Sequence, residues 1–164
     1  MKQALTSSLL ILAIIILAGF QNDDDRIRKI VHDEMAGQWT HTPIKDAKTI
    51  GPYSPAQQAG NMLFISGQIG LNQETGQLEN KDLETETKQV LANLGKVLAS
   101  AGFTADDVVS TTIYLKNLSD YNDVNAIYGT YFREGNYPAR ATVQVSGLPK
   151  DARIEISAIA VKAR

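Results

Sequence analysis

Tyr137-Pro138-Ala139-Arg140-Ala141-Thr142-Val143-Gln144-Val145 is the stretch around which the chain is organised. Pro138 fixes its own φ and restricts Tyr137 to extended geometry, so the backbone reaches Arg140 in a defined direction. From there the residues alternate as in a strand. Ala141, Val143 and Val145 share one face; Arg140, Thr142 and Gln144 share the other. The apolar set is expected to face the core. Arg140 then sits at the mouth of a strand on the non-core face, where a guanidinium can hold a carboxylate through two parallel hydrogen bonds. The plainer reading is a salt bridge at a strand end.

Working upstream, Tyr121–Phe132 reads as a helix capped by Ser119 or Asp120, with an apolar stripe of Val124, Ile127, Tyr128 and Tyr131. Asp106–Leu115 reads as a strand with Val109, Ile113 and Leu115 on one face and Ser110, Thr112 and Tyr114 on the other. A longer helix, Leu83–Ala101, starts at Asp82 as N-cap, with Glu84 and Glu86 in its first turns, and ends at Gly102. Val90, Leu91, Leu94, Val97, Leu98 and Ala101 mark its buried stripe. Before it, Met62–Ile69 is a strand with Leu63, Ile65 and Ile69 on one side and Met62, Phe64, Ser66 and Gln68 on the other. Ala59-Gly60-Asn61 is a hairpin-like turn, and Gly51-Pro52-Tyr53-Ser54-Pro55 a restricted loop. Downstream, Leu148–Asp151 turns the chain into a last strand, Arg153–Lys162, with Ile154 and Ile156 opposite Arg153, Glu155 and Ser157.

The order β-β-α-β-α-β-β predicts an α+β sandwich with two helices packed on one face of a mixed sheet. The other face mixes Met62, Phe64 and Tyr114 with Ser66, Thr112, Arg140, Thr142 and Glu155. Large apolar groups among sparse charges predict burial against another copy, hence a homo-oligomer with clefts between subunits.

With 164 residues, 43% of them hydrophobic, the chain can build one cored domain plus an appendage. A net charge of −2 without a basic cluster gives no footprint for nucleic acid. Without cysteine there are no disulfides, thiolate nucleophiles or thiolate metal sites. His32 and His41 lack ligand-spaced partners, so no metal is expected. Lys2 precedes an apolar run, Leu9–Phe20, short for a membrane span and right for a signal-peptide core. Residues 1–20 are therefore expected to be a signal peptide or membrane anchor, which predicts export to the periplasm or beyond, or membrane contact through that segment. Leu17-Ala18-Gly19-Phe20 resembles a lipoprotein cleavage box, with Phe20 in place of the lipidated Cys. Residues 21–43 read as a linker with a short helix near Ile27–Met35, and 44–164 as the domain.

Five segments in register carry a resemblance: Gly51-Pro52-Tyr53-Ser54, Ile65-Ser66-Gly67-Gln68-Ile69, Val124-Asn125-Ala126-Ile127-Tyr128, Pro138-Ala139-Arg140 and Ile154–Ala160. Together they resemble the signature of the RidA/YjgF family of enamine/imine deaminases across residues 44–164. The resemblance implies a chorismate-mutase-like fold, a homotrimer with a site at each subunit interface, and no metal or organic cofactor. It puts the carboxylate-binding arginine at Arg140, the interface tyrosine at Tyr53, a strand serine at Ser66 beside Gly67, a helix asparagine at Asn125 and a water-related glutamate at Glu155. Thr142 stands where many members carry Cys, keeping a small polar group there. The implied reaction is hydrolysis of 2-aminoacrylate or 2-imino acids to 2-keto acids and ammonia. Arg140 clamps the carboxylate and Glu155, expected on the same sheet face, handles the water. Tyr53, Ser66, Gly67, Asn125 and Thr142 complete the pocket. A non-catalytic trimeric small-carboxylate binder is the competing expectation; RNA cleavage, attributed to some relatives, is opposed by the negative charge.

Overall fold

Three stretches are described by the computed structural model: residues 24–29, 39–41 and 49–162. The apolar run Leu9–Phe20 and most of the helix expected near Ile27–Met35 lie outside them. Two units divide the chain, Met1–Gln38 and Trp39–Arg164. In the first, residues 24–29 are helical, and Arg28 pairs with Asp24 one turn away at 3.7 Å. Among the described residues no helix is long and apolar enough to cross a membrane.

The second unit holds one mixed sheet. Its strands are β1 (Trp39–His41), β2 (Ala56–Ala59), β3 (Met62–Gln68), β4 (Val108–Leu115), β5 (Ala139–Gln144) and β6 (Ile154–Val161). Helix α1 spans Leu83–Ser100 and helix α2 spans Tyr121–Tyr131. The strands lie in the order β1-β2-β3-β6-β4-β5, antiparallel except for the β4–β5 pair. β3 and β4 both run antiparallel to β6, so they are parallel to each other. Parallel strands need a crossover, and α1 and α2 supply the two. The expected element order therefore holds, with one addition. β1 pairs with β2 (Trp39 opposite Ala59), so the sheet begins inside the stretch read as linker.

The helix-facing core is apolar. Leu63, Ile65, Ile113, Leu115, Ile154, Ile156, Ala158 and Ala160 from the sheet meet Val90, Leu91, Leu94, Val97 and Leu98 of α1 and Val124 and Tyr128 of α2. α1 begins as expected, with Asp82 accepting a 2.7 Å hydrogen bond from the Thr85 amide. It ends at Gly102, whose φ of 75° suits glycine, and the Phe103 amide returns to the Leu98 carbonyl at 2.8 Å.

Three local expectations are corrected. Val109 does not face the core but is 47% exposed. The β4–β6 register shifts between Val108 and Ser110, a bulge that turns Val109 outward and brings Val108 inward, where it is buried; Thr111 follows the regular alternation beside Ile113 and is buried too. The α2 cap is also different. Asp120 occupies the N-cap position without a side-chain bond, and Asn117 instead caps a preceding 3₁₀ turn by accepting from the Ser119 amide at 3.1 Å. Third, the α1 stripe carries polar members. Asn93 is buried and donates to the Ile69 and Leu71 carbonyls at 2.9 and 2.8 Å, which pins the loop after β3. Glu86 is fully buried; one oxygen accepts from the Arg153 amide at 2.8 Å and the other has no hydrogen-bond partner among the described residues.

Candidate functional site

Register decides where Arg140 points. Thr111 pairs with Arg140, Ile113 with Thr142 and Leu115 with Gln144. Paired residues of neighbouring strands project to the same side. Thr111, Ile113 and Leu115 are buried beneath the helices, so Arg140 and Thr142 lie on the helix side of the sheet. The sequence reading placed them on the opposite face, and that is corrected here. Ala141 and Val143 are the residues on the open face, and Val143 is 43% exposed. The physical reason is that β5 is an edge strand, so its helix-side positions border α2 without being sealed under it.

That margin is built around the guanidinium. Arg140 Nη2 donates to Asn125 Oδ1 at 2.8 Å and to the Tyr121 hydroxyl at 3.3 Å. Its Cζ lies 4.7 Å from the centre of the Tyr128 ring and 5.8 Å from that of Tyr121. The Tyr128 hydroxyl is in turn bonded to Thr111 Oγ1 at 2.7 Å, inside the core. Burial pushes the Tyr128 hydroxyl up, against the smaller opposing effects of Thr111 and Arg140, so it stays protonated. Among the described residues Arg140 has no carboxylate partner: the strand-end salt bridge is not formed. Two residues along, the Thr142 hydroxyl is buried without a hydrogen-bond partner among the described residues. Asn125, Tyr128, Gly129, Tyr137, Pro138 and Arg140 line a cavity of about 440 Å³.

A second group gathers where the β3–β6 register shifts between Ile65 and Gln68. Glu155 of β6 pairs with Tyr114 and alternates with the buried Ile154 and Ile156, so it points to the open side. Its carboxyl lies over Gly67, where a Cβ would come within 2.9 Å of Glu155 Cγ. Only glycine leaves room for this approach. Burial pushes the Glu155 carboxyl above the usual carboxylate range. Ser66 donates from Oγ to the Ser54 carbonyl at 2.8 Å and from its amide to the Pro55 carbonyl at 3.0 Å. These bonds tie β3 to the loop that carries Tyr53. Tyr53 is 46% exposed and shares a small cleft with Gly67, Gln68 and Lys96. Among the described residues no three His, Asp or Glu side chains converge as metal ligands.

The expected site residues thus form two clusters within one chain. Arg140, Asn125 and Thr142 lie at the β5–α2 margin; Glu155, Gly67, Ser66 and Tyr53 lie around the β3–β6 bulge, where the register shifts between Ile65 and Gln68. Arg140 and Glu155 are on opposite faces of the sheet.

The model of the family described as Endoribonuclease L-PSP matches residues 43–162. A RutC family protein of Pyrococcus horikoshii is 49% identical over 115 residues, covering 70% of this chain and 90% of its own length. The mouse 2-iminobutanoate/2-iminopropanoate deaminase is 48% identical over 118 residues, 72% of this chain and 87% of its own. This chain belongs to the RidA/YjgF family. The crystal structure of a Rid-family protein from Yersinia pestis superposes with a TM-score of 0.72 at 45% identity, covering 76% of this chain and 99% of that one.

Within this RidA/YjgF domain, four residues at the arginine escaped the sequence reading. Tyr121, Tyr137 and Gly129 carried no role in it, and Tyr128 was taken only as core. One signal was available. A buried tyrosine needs a partner for its hydroxyl, and on β4 Thr111 offers one.

Proposed function

We propose that this chain hydrolyses 2-imino acids, or the enamines in equilibrium with them, to 2-keto acids and ammonia. The reading rests on one observation above all: a guanidinium held from behind by Asn125, Tyr121 and the Tyr128 ring, without a carboxylate partner among the described residues, at the wall of a cavity. Such a group is prepared for a carboxylate, and its remaining N–H donors suit a two-pronged grip. Thr142, two residues along β5 from Arg140, is proposed to offer its hydroxyl to the bound acid. In the reaction, water adds to the C=N carbon, the tetrahedral adduct passes a proton to nitrogen, and the C–N bond breaks to release ammonia. Glu155, its pKa raised by burial, takes the proton from water and returns it to the departing nitrogen.

Because Arg140 and Glu155 face apart in one chain, the site is proposed to form between copies. The Arg140 margin of one subunit meets the Glu155, Gly67, Ser66 and Tyr53 cluster of the next, in a homotrimer. The open face supports this, since Phe64 and Val143 are 40% and 43% exposed there, beside half-buried Tyr114 and Ile159. The relatives named as 2-iminobutanoate/2-iminopropanoate deaminases support the same chemistry.

The test generates imines in situ with an amino-acid oxidase and follows their loss. The wild-type protein should speed that loss in proportion to its concentration. Arg140→Ala should abolish the effect with an unchanged melting curve. Full turnover by Arg140→Ala, or acid binding by the wild type with no acceleration of any imine, would refute the reading.

A further inference from the structure

In a single chain, before a neighbouring copy adds its cluster, the cavity beside Arg140 has more room than a three-carbon acid can use. At about 440 Å³ it equals the space of roughly fifteen liquid waters, and it falls in the size range of sites for drug-sized ligands. Apart from Arg140, its lining carries no charge. Two aromatic rings bound it. Tyr128 is anchored from the core by Thr111, and Tyr137 is 53% exposed, with its backbone held extended by Pro138. Gly129 lines the same cavity. Tyr121, Asn125 and Gly129 follow at four-residue steps along one face of α2. The first two hold the guanidinium. At the third, a Cβ would meet nothing within 4 Å. The helix has no need of glycine for conformation at this position, since its φ is not positive, so the missing side chain leaves room and nothing else.

We infer that Gly129, Tyr137 and Tyr128 form a side-chain pocket, and that the preferred substrates are 2-imino acids with bulky apolar or aromatic side chains. This rests on the carboxylate grip proposed for Arg140. Once that grip is made, the C=N carbon is one bond from the carboxylate and stays close to the guanidinium. The side chain is the part of the substrate free to fill the remaining space. A benzyl or isobutyl group placed there lies against the faces and edges of two tyrosine rings, a favourable setting for apolar and aromatic surface.

The experiment measures kcat/KM for imines made by the oxidase from alanine, leucine and phenylalanine, with the wild type, Gly129→Leu, Gly129→Ala and Tyr137→Ala. The wild type should prefer the leucine and phenylalanine imines to the alanine imine. Gly129→Leu should lower kcat/KM for the bulky imines about tenfold or more relative to the alanine imine, the scale on which pocket filling discriminates. Gly129→Ala, which a helix accepts readily, should shift the ratio in the same direction by less. Tyr137→Ala should also lower the ratio, by removing a wall. Preference for the alanine imine by the wild type, or equal loss on all three imines in the Gly129 variants, would overturn the side-chain pocket while leaving the deaminase reading intact. Failure of all imines with the wild type would overturn both.

Discussion

Tyr128 separates two roles that one side chain performs at once. Its ring lies 4.7 Å from the Arg140 guanidinium, and its hydroxyl is bonded to Thr111 at 2.7 Å. Tyr128→Phe keeps the ring and strands the buried Thr111 hydroxyl. Leaving such a group unpaired costs about 1–3 kcal/mol of stability. Tyr128→Leu removes the ring as well. A guanidinium over an aromatic face gains about 0.5–1 kcal/mol when exposed and about 2 when desolvated. Arg140 is half-buried, so its loss of support should weaken carboxylate binding by roughly two- to thirtyfold, at about 1.4 kcal/mol per tenfold. Calorimetry with pyruvate, the keto acid expected from the alanine imine, reads binding; urea melts read stability. Phe should lose stability and keep its affinity, and Leu should lose both. The double variant Thr111→Val with Tyr128→Phe deletes both partners of the bond, so it should cost less than the sum of the two single changes. The reasoning fails if Phe weakens pyruvate as much as Leu does, because the hydroxyl would then be what positions Arg140. It also fails if the double variant is additive.

Two further predictions concern the carboxyls. Burial holds Glu86 above its ordinary range, with its Arg153 hydrogen bond opposing this only in part. A raised folded pKa gives stability that is full below the unfolded value and is lost as pH rises through the folded one. Urea melts should therefore show Glu86→Gln gaining on the wild type between pH 4 and pH 7, and a constant difference across that range would contradict a buried, titrating Glu86. Gly67→Ala puts a methyl group where the Glu155 carboxyl lies, so imine hydrolysis should fall steeply while circular dichroism stays native. An active Gly67→Ala protein would show that the placement of Glu155 over Gly67 is not needed.

Element order was readable because each helix carries an apolar stripe and α1 also carries capping signals at both ends. Asp82 and Gly102 bracket α1 in the structure much as they do in the sequence. Polar members of that stripe were also within reach: Glu86 and Asn93 sit four residues before Val90 and four before Val97, on the buried side. What alternation cannot give is which face a helix will cover. At β3 and β6 the more apolar face is the one under the helices, and the inference from apolar to core holds. At β5 it inverts, because an edge strand leaves its helix-side positions open to a cavity while its other side is left for a second surface. Val109 failed for a different reason, since one inserted residue at a bulge exchanges faces for everything on one side of it.

The inversion at β5 has a consequence for the proposed catalysis. Had Arg140 shared the open face with Glu155, one chain could have held acid and water together, and assembly would have been incidental to the chemistry. With the two groups on opposite faces, joining them requires a rotation that brings the β5 margin of one copy to the β3–β6 bulge of another. Each copy then supplies both halves, but to different sites, and a closed ring leaves no half unused. Mixing Arg140→Ala chains with Glu155→Gln chains should therefore restore part of the activity that each lacks alone, because some interfaces in the mixed rings pair an intact arginine with an intact glutamate. If mixing after reversible dissociation gives no recovery, the two groups do not act across an interface.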